Sequence, residues 1–329
     1  IASGKVTYTR TSGSADSGSP HTQNLSGAEL NTGARSLAAL ASAPTLVDGA
    51  VYTIDFDATD AAGNAATQKS VAAVTFDTTL PTLSPVTIAS NNSTTTLAKE
   101  TEVITITFTS SEAIATPTVT IAGASASSVN NISSATSWTA TLTVAAGTTE
   151  GTAAIIIDFA DLAGNNGTTV IATTNGSSVT VDTSAPTLNP VTIASNNADN
   201  TEAKAGDVIT ITFNSSEAIA TPTVKIAGTA ATVTNVSAAT SWTATLTVGA
   251  GTTEGTAAID IAFADLAGTT GTTVTATTDG SNVNIDRTPP TITITATNGS
   301  TAVADGATSS DVALTVTFTT SEPSLLFVL

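Results

Sequence analysis

The 329 residues carry 26 Asp and Glu against 8 Lys and Arg, a formal charge of −18, with neither cysteine nor methionine. Nucleic acid and anionic membrane surfaces both call for clustered Lys and Arg, so neither is an expected partner. No disulfide holds the chain together, and no apolar run approaches the roughly 18 residues of a membrane span.

In chain order, residues 1–76 carry a strand-like "GKVTYTR" (4–10) and later the hairpin-like "DFDATDAAGN" (55–64). Between them "SGAELNTGARSLAALASA" (26–43) is the one helix-like piece, and Gly33 within it favours a turn plus a strand. The phrase "FDTTLPTLSPVTIASNN" (76–92) follows, recurs as "VDTSAPTLNPVTIASNN" (181–197), and decays to "IDRTPPTITITATNG" (285–299). It reads as a short, stiff linker running into a first strand, because Pro186 and Pro190 donate nothing to a ladder and hold their neighbours extended.

Between these phrases the units nearly copy each other. "SSEAIATPTVTIAG" (110–123) returns as "SSEAIATPTVKIAG" (215–228), and "TSWTATLTVAAGTTEGTAAI" (136–155) as "TSWTATLTVGAGTTEGTAAI" (240–259). A period near one hundred residues is a whole domain rather than a solenoid turn. Within a unit the alternation has period two: Ile104, Ile106 and Phe108 face one way and Thr105, Thr107 and Thr109 the other. Trp138, Ala140, Leu142 and Val144 share an inward face, as do Ile155, Ile157 and Phe159. About seven such strands per unit predict an all-β fold of tandem immunoglobulin-like β-sandwiches in a linear rod. The expected divisions are a partial domain at 1–77 lacking its first two strands, full domains at 78–182 and 183–286, and the first two strands of another at 287–329.

The scarce carboxylates recur at fixed places: Glu112, Glu217 and Glu322 after the second strand; Asp60, Asp161 and Asp265 in the late turn; Asp77, Asp182 and Asp286 in the linker. In a sandwich of this connectivity those three loops can share a pole. Oxygen ligands gathered there suit Ca²⁺, and a chain without cysteine and with one histidine does not suit zinc. Turn chemistry is the other reading, with Asp161 accepting backbone N–H groups and Gly164 left-handed. The third unit differs: Thr269 replaces the Asn of Asn64 and Asn165, and Ala262 replaces Asp158, with Asp260 two residues earlier as a partial substitute.

The "SE", "D-x-A-G-N" and "D-T-x-x-P-T" series resembles the bacterial Ig-like repeats of large surface adhesins and biofilm-associated proteins, over essentially the whole chain. The resemblance implies an extracellular, cell-surface extender that carries a terminal adhesive domain, with Ca²⁺ stiffening the junctions. Position by position it implies ligand roles for Asp60, Asn64, Asp77, Glu112, Asp158, Asp161, Asn165, Asp182, Glu217, Asp265 and Asp286. Its implied partners are further repeats of the same chain and a surface receptor met through a region outside this sequence.

The two partial units are complementary. Either the sequence is a piece of a longer array, or the terminal strands of one copy complete the open sandwich of the next in a head-to-tail filament. Ile1 in place of Met fits both a removed signal peptide and a fragment. No catalytic constellation is visible. His21 reads as a solvated loop residue in "GSPHTQ", and Asp55 and Asp57 alternate outward on a strand without a substrate cleft. The sequons at Asn131, Asn175 and Asn235 leave glycosylation open. A carbohydrate-binding module is the weaker alternative, since both Trp face inward.

Overall fold

The Ile–Thr alternation of the first full repeat resolves into one buried and one outward face. In the strand Val103–Ser110, Ile104, Ile106 and Phe108 are wholly buried. The computed structural model describes residues 1–31, 33–34, 43–299, 301–309 and 313–322. They form two units, Ile1–Thr183 and Ser184–Leu329. No helix among the described residues is long and apolar enough to cross a membrane.

The first unit opens with β1 (Ser3–Gly13), β2 (His21–Leu25), β3 (Ala50–Thr59) and β4 (Lys69–Thr75), a sheet ordered β2-β1-β3-β4. Val6, Tyr8, Ala50 and Tyr52 form its small core. Of the helix-like segment, Gly27–Leu30 is a single 3₁₀ turn in which Glu29 accepts the Ser26 N–H at 2.8 Å. The strand expected after it falls on residues 35–42, outside the described residues.

His21 corrects the sequence reading. It opens β2 instead of lying free in a loop, and its Nε2 sits 2.7 Å from Asp16 Oδ2. The Tyr52 hydroxyl donates to the same oxygen at 2.6 Å, and the Gly18 N–H donates to Oδ1 at 3.0 Å. The Asp16 side chain is only 4% exposed, so it must gather donors from wherever the fold supplies them. Tyr52, 36 residues away, is invisible to local reading.

The rest of the unit comprises β5 (Leu83–Ser90), β6 (Leu97–Ala98), β7 (Val103–Ser110), β8 (Thr118–Ile121), β9 (Ala124–Ser125), β10 (Ser128–Ser133), β11 (Ser137–Thr143), β12 (Gly151–Thr152), β13 (Ile155–Asp158) and β14 (Thr180–Val181). Against about seven expected strands there are ten pieces, six longer ones and the two-residue β6, β9, β12 and β14. One sheet runs β10-β11-β7-β5, another β13-β8-β9, and β12-β14-β6 closes one side with a parallel β14–β6 pair. Ile104, Phe108, Trp138 and Leu142 of the first sheet share one core with Val119, Ile121, Ile155 and Ile157 of the second. Each such side chain contributes about 1.5–3 kcal/mol by leaving water. The Trp138 indole N–H donates to the Ala135 carbonyl at 3.1 Å, which satisfies its one polar group.

Pro85 lies inside β5, behind a cis bond, where the register against β7 shifts between Leu83 and Val86. Pro190 occupies the matching place at its own register shift, between Leu188 and Val191. Both prolines therefore sit at a break in a ladder and not in the linker, the place in a strand where a missing N–H costs least.

The second unit repeats the plan with β15 (Leu188–Ser195), β16 (Glu202–Ala203), β17 (Val208–Ser215), β18 (Thr223–Ile226), β19 (Thr229–Ala230), β20 (Thr232–Ser237), β21 (Ser241–Thr247), β22 (Gly255–Thr256), β23 (Ile259–Ala262) and β24 (Asn284–Ile285). Its sheets are β15-β17-β21-β20, β19-β18-β23 and β16-β24-β22. The same unit ends with β25 (Ile292–Asn298), β26 (Thr301–Val303) and β27 (Thr315–Thr320), a sheet ordered β26-β25-β27. Here Ile292, Ile294 and Val316 are 60%, 62% and 48% exposed.

Gly167 is fixed by packing. A Cβ there would lie 2.2 Å from the Phe159 ring, and Gly271 meets Phe263 at the same distance. Gly167→Ala is expected to cost about 1–3 kcal/mol through overpacking. Chemical denaturation checks this; an unchanged midpoint would show that the ring swings clear.

Candidate metal centre

The turn after β13 is built by one carboxylate. Asp161 Oδ1 accepts the N–H groups of Gly164 (2.7 Å) and Asn165 (2.8 Å), and Oδ2 accepts Asn165 Nδ2 at 2.7 Å. Gly164 takes φ +98°, the left-handed backbone that such a turn requires. The Asp60 turn repeats this pattern through Ala62 and Asn64, with distances of 2.8–2.9 Å, but it is exposed. Asp161 is only 3% exposed, because a bridge from Ile114 draws its turn against the loop after β7. In that loop Ser110 Oγ donates to the Glu112 carbonyl at 2.5 Å, which sets the backbone that presents Glu112. The linker docks from the third side, where Asn165 Nδ2 donates to the Asp77 carbonyl at 3.0 Å.

Asp77, Glu112 and Asp161 therefore converge from three separate segments, with one carboxylate oxygen of each within 4.8 Å of the others. Oxygens on opposite sides of a Ca²⁺ ion, bound at about 2.3–2.6 Å, lie about 4.6–5.2 Å apart, so the spacing fits that ion. None of the three ion pairs among the described residues involves this group. Glu112 Oε1 is buried without a hydrogen-bond partner. Burial, and then the charges of Asp77, Asp161 and Asp48, push the Glu112 carboxyl above its ordinary pKa. For Asp161 burial acts the same way, but the hydrogen bonds from Asn165 and Gly164 outweigh it and hold that carboxyl low. The cluster thus combines one carboxylate locked in place with another that lacks compensation.

In the second unit, Asp265 Oδ1 accepts the Thr269 N–H at 2.8 Å, and a bridge from Ile219 holds the turn. Thr269 has no amide to offer, so Asp265 Oδ2 is left without a hydrogen-bond partner in a residue 2% exposed. A bare carboxylate oxygen at that depth calls for a counter-ion or a donor. Ser215 Oγ donates to the Glu217 carbonyl at 2.5 Å, as Ser110 does to Glu112. Asp182, at the end of the first unit, donates its N–H to Ala98 O at 2.9 Å. Asp286 Oδ1 accepts the Thr288 N–H at 2.9 Å and lines a cleft with Lys204, Arg287 and Glu322.

Asp158 lies elsewhere, on the exposed face of β13, where its Oδ1 accepts Thr169 Oγ1. Asp260 is likewise on the exposed face of β23, opposite Lys225. Asn64 and Asn165 serve as donors that orient an aspartate. Sequence reading overlooked Asp48, Glu150 and Glu254, the acidic residues directly before Gly49, Gly151 and Gly255. Their repetition was a signal, but their partners lie 30 or more residues onward.

Paired antiparallel sheets around a shared core, repeated in tandem, define an Ig-like β-sandwich protein. Residues 77–180 match the family model of the bacterial Ig-like domain. No curated protein matches the chain. Solved structures similar to it include the following three. A Ca²⁺-stabilized adhesin that helps an Antarctic bacterium reach out and bind ice is 19% identical, over 89% of this chain and 68% of that one, at a TM-score of 0.36. The D00–D0 domain of intimin is 15% identical, over 60% and 99%, at 0.26. A marsupial T cell receptor is 11% identical, over 64% and 79%, at 0.34.

Proposed function

We propose that this chain is a non-enzymatic, extracellular extender of a bacterial surface adhesin, in which Ca²⁺ stiffens the junctions between successive sandwiches. One observation carries the reading: three carboxylates from three segments meet at the linker without a cationic partner. Such a group is costly by itself and favourable around a divalent ion. By the sequence repeat, Asp182, Glu217 and Asp265 are the corresponding set one module on. Asp60 and Asp286 hold the corresponding places in the partial modules, with Asn64 and Asn165 as orienting donors. Extension is a matter of geometry, and tandem modules of one design joined by a short recurring phrase suit it. The acidic, cysteine-free composition fits a surface protein whose stability comes from sheets and ions.

Isothermal titration of the chelated chain with CaCl₂ and, separately, MgCl₂ tests the reading, together with small-angle scattering in both states. The expected result is tight Ca²⁺ sites at the two complete junctions, weaker Mg²⁺ binding and a larger radius of gyration with Ca²⁺. Equal radii with and without chelator would reject the ion-stiffened linker. The apolar exposure of Ile292, Ile294 and Val316 favours a second reading, in which that sheet completes the N-terminal sandwich of another copy. A mass that climbs with concentration in the same scattering series would select it.

A further inference from the structure

Linker residues next to the cation cluster are gripped from the other side as well. Asp48 Oδ1 accepts the Thr78 N–H at 2.6 Å and the Thr78 hydroxyl at 2.8 Å, while Oδ2 accepts the Thr79 hydroxyl at 2.8 Å. One repeat later, Glu150 Oε1 accepts the Thr183 N–H (3.1 Å) and hydroxyl (2.8 Å). At the third linker, Glu254 Oε1 accepts the Arg287 N–H and the Thr288 hydroxyl, both at 3.0 Å. Each carboxylate precedes a glycine with positive φ (+73°, +92° and +99°), which turns the chain so that the acidic side chain reaches back over the outgoing linker.

The contact survives changes on both sides. Asp becomes Glu in the later repeats, and the threonine that follows the linker aspartate becomes Arg287, whose Nη1 then donates to Ala250 O at 2.7 Å. A hydrogen-bond pattern that persists through such changes is a property of the module and not a by-product of copied sequence. Thr78 and Thr79 are exposed. The Thr79 N–H is also held by Asp77 Oδ1 at 3.0 Å, whereas the Thr78 N–H goes to Asp48, and charge-assisted bonds are the strong kind for such a position. The hydrogen bonds from Thr78 and Thr79 also hold the Asp48 carboxyl below its ordinary pKa.

We propose that Asp48, Glu150 and Glu254 are positioning residues forming a second, cation-independent clasp on each linker. The acidic residue before the late glycine fixes the first residues of the outgoing phrase, and so the path by which the chain leaves its sandwich. Chelation then loosens only the grip of the following module, and the clasp remains.

Amide hydrogen exchange on the full chain in excess chelator tests this, and no cation reading enters the result. Asp48→Ala should speed exchange at the Thr78 amide at least about tenfold, with Glu150→Ala doing the same at Thr183 and Glu254→Ala at Arg287. Amides of β7 and β11 should keep their wild-type protection. Thr79→Val, which removes one hydroxyl and leaves Asp48 in place, should give a smaller rise at the same amide. Unchanged exchange at the three linker amides overturns the proposal. So does a rise shared equally by the core strands, since the carboxylates would then be supporting the sandwich and not the linker.

Discussion

Phe108→Ala lowers the stability of the first full module by about 3–5 kcal/mol and separates its unfolding from that of its successor. Phe108 is wholly buried in β7, between Val86 of β5 and Trp138 of β11 in the ladder register. Removing the ring leaves a void that rigid neighbouring strands cannot close, so the loss exceeds the transfer energy of the ring. A domain of this size holds about 5–15 kcal/mol in all, so the variant loses a large share of it. The core around Phe213 is a separate cluster, drawn from residues 188–285 alone. Calorimetry of Phe108→Ala should therefore show one transition moved down and another left in place. Phe213→Ala should exchange their roles. A single transition that shifts as a whole in both variants would mean that the repeats melt together and that the expected boundaries at 77, 182 and 286 are not folding boundaries.

The layering of these sandwiches was legible because it is local. Alternation at Ile104, Ile106 and Phe108 needs no partner to be read, and burial follows it residue by residue. Turn chemistry was legible for the same reason: Asp161 finds all of its hydrogen-bond donors within four residues. What escaped depends on distant pairing. Pro190 looked like part of a linker because a register shift against β17 leaves no mark in the phrase itself. His21 looked solvated because Tyr52, which shares Asp16 with it, comes from another strand. Asp158 and Asp161 are three residues apart, yet Asp158 lies on the exposed face of β13 while Asp161 is buried. Asp48 was missed because its value lies in Thr78 and Thr79, beyond an intervening pair of strands.

Glu112→Gln and Asp161→Ala should have opposite effects on the chelated protein and the same effect on its response to calcium. Both remove a carboxylate from the group of three, so both should abolish the gain that wild type shows on adding Ca²⁺. That gain is about 2.7 kcal/mol at a hundredfold excess over the dissociation constant. Without the ion, Glu112 is a half-buried charge facing Asp77 and Asp161, and its neutral isostere relieves the repulsion, so the unfolding midpoint rises. Asp161→Ala instead strips the acceptor from Gly164 N, Asn165 N and Asn165 Nδ2, so the midpoint falls. Acidity separates the two further. The folded Glu112 pKa is raised above 4.5, so in chelator wild type is more stable below that value and loses this stability as pH rises through the folded pKa. Glu112→Gln should lack this slope. The folded Asp161 pKa is lowered below 3.8, so its contribution is present above that value and disappears only as pH falls through the folded one. Thermal melts in chelator from strongly acidic to neutral pH read both signs. A fall in midpoint for Glu112→Gln at neutral pH would mean that Glu112 is a structural acceptor rather than an uncompensated charge awaiting an ion.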